Sequence, residues 1–282
     1  MKKVPVVFIS DSNFMFAFGV ALTSMLSNAK GGTFYEIYLL HAPDVATSDL
    51  EKVNKFVESF GNASIKFINM ANAFIDAPKI SSRISNACYY KLSIAELLPH
   101  LDKVIYIDVD TMIRQDLCEM YDIDISDYYI GGVLGLYHYF QARNLIDKLQ
   151  IPTIDNYINT GVMLMNLKKI RDERMEEKLK SFIGTLPDDQ DIMNKVYYGK
   201  IKLIHPKWNL TLVSLRSWVG ADAIYPRIVS EEAYNNPAIM HFAGELKPWQ
   251  YYNIFLSHEW MTYHIHSPFN DKKFNLTAWV KR

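Results

Sequence analysis

At 282 residues with a formal net charge of −1, the chain is long enough for one large α/β domain and carries no positive excess that would suggest a nucleic-acid partner. Hydrophobic residues make up 49% and charged residues 22%, a globular balance, and no apolar run approaches the roughly 18 residues of a membrane span. The two cysteines, Cys88 and Cys118, form no CxxC pair, which argues against a disulfide framework or a cysteine zinc site and predicts a cytoplasmic protein.

Val4–Ile9 is a short apolar run before polar Ser10–Asn13, and reads as a first core strand rather than a signal segment. Gly19–Ser27 has helical spacing at Val20, Leu22, Met25 and Leu26; Gly31-Gly32 then breaks the chain before a strand over Tyr35–Leu40. Asp49–Phe60 has a helical period and stops at Gly61, and Ile65–Asn69 is a third strand. A helix is predicted over Tyr89–Leu98, ended by Pro99, followed by strands over Lys103–Ile107, Ile130–Leu136 and Gly161–Leu167. Lys168–Ile183 reads as one charged amphipathic helix, closed by Gly184 and Pro187. Alternation of this kind predicts a mostly parallel central sheet covered on both faces, a Rossmann-like α/β architecture. The composition shifts after about residue 245, where Pro and aromatics become frequent, and residues 1–249 are expected to form the domain and 250–282 an aromatic-rich extension. That extension either packs on the domain or contacts a membrane surface or acceptor.

Two segments carry chemistry. Val104–Ile107 is apolar and runs directly into Asp108 and Asp110. Residues two apart on a strand share a face, and ligands of open parallel sheets bind beyond the strands' carboxyl ends, so both carboxylates can address one ion. Hard oxygen ligands suit Mg²⁺ or Mn²⁺, with diphosphate oxygens completing the octahedron. Asp122/Asp124 and Asp189/Asp191 have the same spacing but lack the buried run before them. A phosphohydrolase of the haloacid-dehalogenase type fits poorly, because Thr111 comes one residue too early and the motif does not open the chain.

The second segment is His241-Phe-Ala-Gly244-Glu-Leu-Lys247-Pro248-Trp249. Imidazole is an acceptable third ligand for Mn²⁺, Gly244 lets the backbone approach a phosphate, and Lys247 offers a compact charge for a diphosphate.

Together the two motifs resemble the family 8 retaining glycosyltransferases of the GT-A type, in particular those that add galactose or glucose to bacterial lipopolysaccharide. The resemblance runs from about Val6 to Trp249. It implies a metal site of Asp108, Asp110 and His241, and nucleotide contacts from Ile9, Ser10, Asp11, Asn13, Phe14, Val109, Gly244 and Lys247, with Phe14 stacking on the base. Asn159-Thr160-Gly161-Val162 resembles the family's Asn-Ser-Gly-Val strand, and Asp188-Asp189-Gln190-Asp191 through Asn194 its Asp-Gln-Asp-x-x-Asn segment. These imply sugar contacts from Lys91, Asn159, Asp189 and Gln190, with Asp189 and Gln190 beside the anomeric carbon as the catalytic pair. Lys91 stands where relatives often carry Arg, and Gly135 follows a strand where close relatives place an Asp; both leave the sugar's identity open. The implied activity is transfer of glucose or galactose from UDP-glucose or UDP-galactose to a glycan or lipid-linked acceptor, with Mn²⁺ or Mg²⁺. The implied location is the cytoplasm, with peripheral contact at the inner face of the membrane. An inactive nucleotide-sugar-binding protein and a UDP-sugar hydrolase are the alternatives.

Overall fold

The computed structural model of the chain describes residues 1–78, 86–136, 142–212 and 225–280. In chain order the strands are β1 (Lys2–Ser10), β2 (Thr33–His41), β3 (Ala63–Asn69), β4 (Lys103–Ile107), β5 (Thr111–Ile113), β6 (Ile130–Leu134), β7 (Ile158–Asn166), β8 (Ile201–Leu203), β9 (Leu210–Thr211) and β10 (Ile239–His241). Seven of them form the central sheet in the order β3-β2-β1-β4-β7-β6-β8. Only β7 runs against its neighbours; every other pairing in the sheet is parallel. The expected Rossmann-like α/β fold with a mostly parallel sheet is therefore present.

Why these segments are strands is legible in their burial. β1 is buried from Val4 to Ser10 and β4 from Val104 to Ile107, so the central strands are continuous apolar runs covered on both faces. On one face the helix Met15–Ser27 is apolar all round and buried from Met15 to Leu26 except Phe16. Phe18 meets Phe8 of β1 edge-on at 5.3 Å between centroids. Helix Ser257–Ile265 closes over that helix and buries Trp260 completely, a contribution of about 3 kcal/mol for one large side chain. Gly19 permits this closure, since a Cβ there would lie 2.7 Å from the Phe269 ring. Most aromatics of the extension, with Trp249 just before it, are turned inward. Trp249 and Phe274 each sit 5.2 Å from Phe16, and Tyr252, Ile265 and Val280 are the large apolar residues that the extension leaves exposed.

Several predicted elements differ. The segment expected as a helix over Tyr89–Leu98 is a 3₁₀ stretch, Asn86–Ser93, followed by one α turn, Ile94–Leu97. Residues 89–95 are all buried, so the segment lacks the exposed face that an amphipathic α-helix would present. The single helix expected over Lys168–Ile183 is two, Leu167–Asp172 and Met175–Ser181, divided where Arg174 takes φ = 51°. Finally, β7 starts three residues earlier than expected and β6 ends at Leu134.

A small second sheet, β5-β10-β9, was not foreseen at all. β10 pairs antiparallel with β5 and parallel with β9, so His241 lies opposite both Thr111 and Thr211. This sheet carries the His241 loop to the end of β4.

Candidate active site

Asp108, Val109 and Asp110 lie in the turn that joins β4 to β5. The two carboxylates therefore do not converge by strand alternation, as expected, but through a turn held at three points. The Asp108 N–H donates to the Gly161 carbonyl of β7 at 2.7 Å, and the Thr111 hydroxyl donates back to the Asp108 carbonyl at 2.8 Å. The Phe242 N–H donates to the Asp110 carbonyl at 2.9 Å, which stitches the second motif to the first.

His241 Nε2 lies 3.2 Å from Asp110 Oδ1 and 3.8 Å from Asp108 Oδ2, and single ligand atoms of the three residues all fall within 4.8 Å of one another. Ligands around a six-coordinate ion at 2.0–2.1 Å stand about 3–4 Å apart, so the trio fits a small divalent cation. Gly161 supports the same conclusion. A Cβ at that position would sit 2.2 Å from His241 Cε1 and 2.7 Å from Asp108 Oδ2, so the strand passes the three side chains with no room to spare.

Two lysines flank the trio. Lys247 Nζ donates to Asp110 Oδ2 at 2.6 Å and to the Phe242 carbonyl at 2.8 Å. Burial raises the Asp110 pKa, but the Lys247 ammonium and the His241 ring beside it outweigh that and hold this carboxyl far below the usual range. Lys91 is 6% exposed and spans Asp108 Oδ1 at 3.2 Å and Asp189 Oδ2 at 2.9 Å. Burial works against the Lys91 ammonium; the Asp108 and Asp189 carboxylates overcome that penalty and keep its pKa well above the ordinary value. Tyr106 donates to Asp108 Oδ1 at 2.5 Å, completing the carboxylate's surroundings.

Asp189 and Gln190 open the helix Asp189–Val196. It forms here because Asp188 is an extended N-cap whose carboxylate accepts the Asp191 N–H at 2.8 Å, with Asp189 and Asp191 complementing the helix dipole. Burial pushes the Asp188 carboxyl up to about 6, with the Asp191 and Asp189 charges adding to the rise and the Asp191 N–H opposing it. Asn194 ties this helix to β7, accepting the Ile158 N–H at 2.8 Å and donating to the Ile158 carbonyl at 2.9 Å. Gln190 Oε1 accepts from Asn159 Nδ2 and from the Thr160 N–H, both at 3.2 Å. Tyr157 donates to Asp191 Oδ1 at 2.6 Å, and Lys148 Nζ lies 3.2 Å from Asp191 Oδ2.

Beyond the carboxyl end of β1, Ile9 and Ser10 are buried and Asp11 caps a 3₁₀ turn, Ser12–Phe14, accepting the Asn13 N–H at 3.0 Å. Phe14 is half-buried and meets Trp249 edge-on at 6.3 Å, which brings this loop to the Lys247-Pro248-Trp249 segment. Gly244 is exposed with φ = 83°, a conformation that excludes most side chains.

The expected residues thus gather around the carboxyl ends of β1 and β4. Sequence reasoning missed Tyr106, Thr111, Tyr157 and Asn209. Asn209 ends the short 3₁₀ turn Pro206–Asn209, and its Oδ1 lies 2.9 Å from His241 Nδ1. Tyr106 sits within an apolar run, and Tyr157 and Asn209 act across 34 and 32 residues, so those three carry no local signal; Thr111 acts only three residues away, on the Asp108 carbonyl, through a hydroxyl with no pattern of its own.

A mostly parallel sheet with one reversed strand, an acidic turn after β4 and a His–Lys loop brought beside it define a GT-A-type glycosyltransferase. The chain belongs to glycosyl transferase family 8, whose description matches residues 5–253. It is 25% identical over 287 residues to "General stress protein A" of Bacillus subtilis (strain 168), covering 98% of this chain and 93% of that one. It is 23% identical over 257 residues to the "Lipopolysaccharide 1,2-glucosyltransferase" of Escherichia coli (strain K12), covering 88% and 73%. The galactosyltransferase LgtC, solved in complex with donor and acceptor sugar analogs, shares the fold with a TM-score of 0.79 at 22% identity, covering 94% of this chain and 96% of that one.

Proposed function

We propose that the chain is a retaining, metal-dependent hexosyltransferase that moves glucose or galactose from a UDP-sugar to a hydroxyl of a glycan or lipopolysaccharide-type acceptor. The observation that carries this reading is the convergence of Asp108, Asp110 and His241 within 4.8 Å, beside a lysine from each side of the cleft. Asp108, Asp110 and His241 would hold Mn²⁺ or Mg²⁺, which when bound neutralises charge on the diphosphate. Phe14 stacks on the uracil, Asp11 and Asn13 meet the ribose end, and the backbone at Ile9, Ser10 and Val109 lines the nucleotide. Gly244 admits the phosphates, and Lys247 moves from Asp110 onto the β-phosphate as negative charge builds there.

The sugar lies between Lys91, Asn159, Asp189 and Gln190. Retention by double displacement needs an unencumbered nucleophile at C1. Asp189 is paired with Lys91 at 2.9 Å, and Gln190 offers an amide whose oxygen already accepts two N–H groups. Attack from the face that UDP leaves suits these residues better. The acceptor oxygen bonds to C1 as the C1–phosphate oxygen bond breaks, and the departing phosphate takes the acceptor's proton. Asp189 and Gln190 then position and polarise the sugar.

The acceptor is a glycan hydroxyl, and the reaction is assigned to the cytoplasmic side of the membrane. Tyr252, Ile265 and Val280 are the exposed apolar residues that the extension offers to a lipid-linked acceptor. Titration of UDP-glucose, UDP-galactose and their N-acetyl forms, with and without Mn²⁺, tests the proposal. One of the first two should bind and turn over only with the metal. Equal binding in EDTA would overturn the metal assignment, and tight binding without any turnover would indicate a sugar-nucleotide-binding protein.

A further inference from the structure

Backbone N–H groups only donate, and two of them set the direction of every amide around His241. The Gly161 N–H donates at 3.1 Å to one atom of the Asn159 side chain, so that atom is the carbonyl oxygen, Oδ1. The same oxygen lies 2.9 Å from Asn209, whose facing atom must then be the amide nitrogen, Nδ2. The Asn159 backbone carbonyl, 3.4 Å from the same nitrogen, requires a donor there as well. The other end of Asn209 is therefore Oδ1, and it is this atom that lies 2.9 Å from His241 Nδ1. An oxygen that only accepts demands Nδ1–H. With a proton fixed at Nδ1, the lone pair the ring can offer a cation is the one at Nε2, which faces Asp110 and Asp108.

In the other direction, Asn159 Nδ2 donates to Gln190 Oε1, where the Thr160 N–H independently requires an oxygen. That leaves Gln190 Nε2 3.1 Å from the Tyr157 hydroxyl, which itself donates to Asp191. One directed hydrogen-bond chain thus runs from His241 to Asp191, and Asn209 is its junction. Asn209 is 1% exposed and precedes β9, the strand paired with the one that carries His241.

We infer that Asn209 is a positioning residue that fixes the Nδ1–H tautomer of His241 and couples the metal site to the Asn159–Gln190 pair. The inference rests on the metal-dependent reading proposed above for the ligand role of Nε2, but the tautomer itself does not. Partners that hold the second nitrogen of a metal-bound histidine typically matter by about 10- to 100-fold in metal affinity. Asn209→Ala removes both functions. Asn209→Asp keeps an acceptor for Nδ1–H but turns an oxygen towards the two Asn159 acceptors, so it severs only the coupling.

Long-range ¹H–¹⁵N correlation spectra of the full chain labelled with ¹⁵N-histidine, with His241 assigned by His241→Gln, read the tautomer directly. Nδ1–H is expected, and a ring protonated at Nε2 alone would overturn the inference whatever the enzyme's metal requirement. Mn²⁺ titration by electron paramagnetic resonance in the presence of UDP then compares the variants, with folding checked by circular dichroism. Asn209→Ala should bind Mn²⁺ about 10- to 100-fold more weakly. Asn209→Asp should bind it within a few-fold of the unaltered chain while kcat at saturating Mn²⁺ falls. Unchanged affinity in Asn209→Ala, or equal losses in both variants, would overturn the coupling role. If Asn209→Ala does not fold, Asn209→Asp and the tautomer still decide. Absence of any Mn²⁺ binding by the unaltered chain with UDP would instead refute the metal reading.

Discussion

Replacing Gly161 by alanine tests how tightly β7 encloses the proposed metal site. The added Cβ would lie 2.2 Å from His241 Cε1, 2.9 Å from His241 Nδ1 and 2.7 Å from Asp108 Oδ2. Contacts below 3.0 Å are not tolerated, so either the strand or the imidazole must retreat. The strand is fixed, because the Gly161 carbonyl accepts the Asp108 N–H at 2.7 Å and Val162 is in register with Ile107 of β4. His241 therefore yields by about 1 Å, a displacement that costs roughly 100-fold when it moves a group out of reacting geometry. That corresponds to about 2.7 kcal/mol of binding or transition-state stabilisation. Overpacking should destabilise the fold by about 1–3 kcal/mol, enough to lower Tm by several degrees without unfolding the chain. Mn²⁺ titration with UDP, beside a thermal melt, measures both. Affinity for Mn²⁺ should drop roughly 100-fold in a protein that remains folded at 25 °C. Mn²⁺ affinity within a factor of about two of the unaltered chain would refute the reasoning, since His241 would then not be held against Gly161.

Lys247→Ala removes the donor that touches Asp110 Oδ2 and the Phe242 carbonyl, and turnover of the UDP-sugar should fall by about 100-fold while affinity for uridine changes little. Equal losses for uridine binding and for turnover would make its role structural. Glu176, which is not one of the proposed site residues, bears on pH. Burial, helped by the Glu96 carboxyl beside it, pushes Glu176 up to about 8 from 4.5. The folded chain then binds a proton that the unfolded chain has released, so this group's contribution is fully present below about pH 4.5 and is lost as pH rises through about 8. Glu176→Gln should flatten the decline in Tm between pH 5 and pH 8, and an unchanged slope would contradict the assignment.

The two motifs were legible because each is contiguous and chemically explicit. An apolar run before Asp108 reads as a buried strand, and the His241 loop sets a ligand, a permissive glycine and a lysine within nine residues. Their meeting was not legible. It depends on β5, β9 and β10, strands of three, two and three residues, too short for alternation to register. The break at Arg174 shows in sequence only as one irregular step, from Ile170 to Met175, within an otherwise charged helical stretch. Gly161 reads in sequence only as part of a strand; the need for glycine comes from His241, eighty residues later. Asn209 is silent for the same reason, since its partners His241 and Asn159 lie 32 and 50 residues away. What local pattern supplied was the kind of chemistry, and what long-range pairing supplied was its geometry.

Release of UDP is the most direct test of the central claim. The unaltered chain and Asp108→Asn are incubated with UDP-glucose or UDP-galactose, with Mn²⁺ or with EDTA, and free UDP is followed over time. The account predicts that one of the two donors is consumed by the unaltered chain only when Mn²⁺ is present, and that Asp108→Asn, still folded, consumes neither. UDP release that persists in EDTA, or that survives in Asp108→Asn, would contradict it.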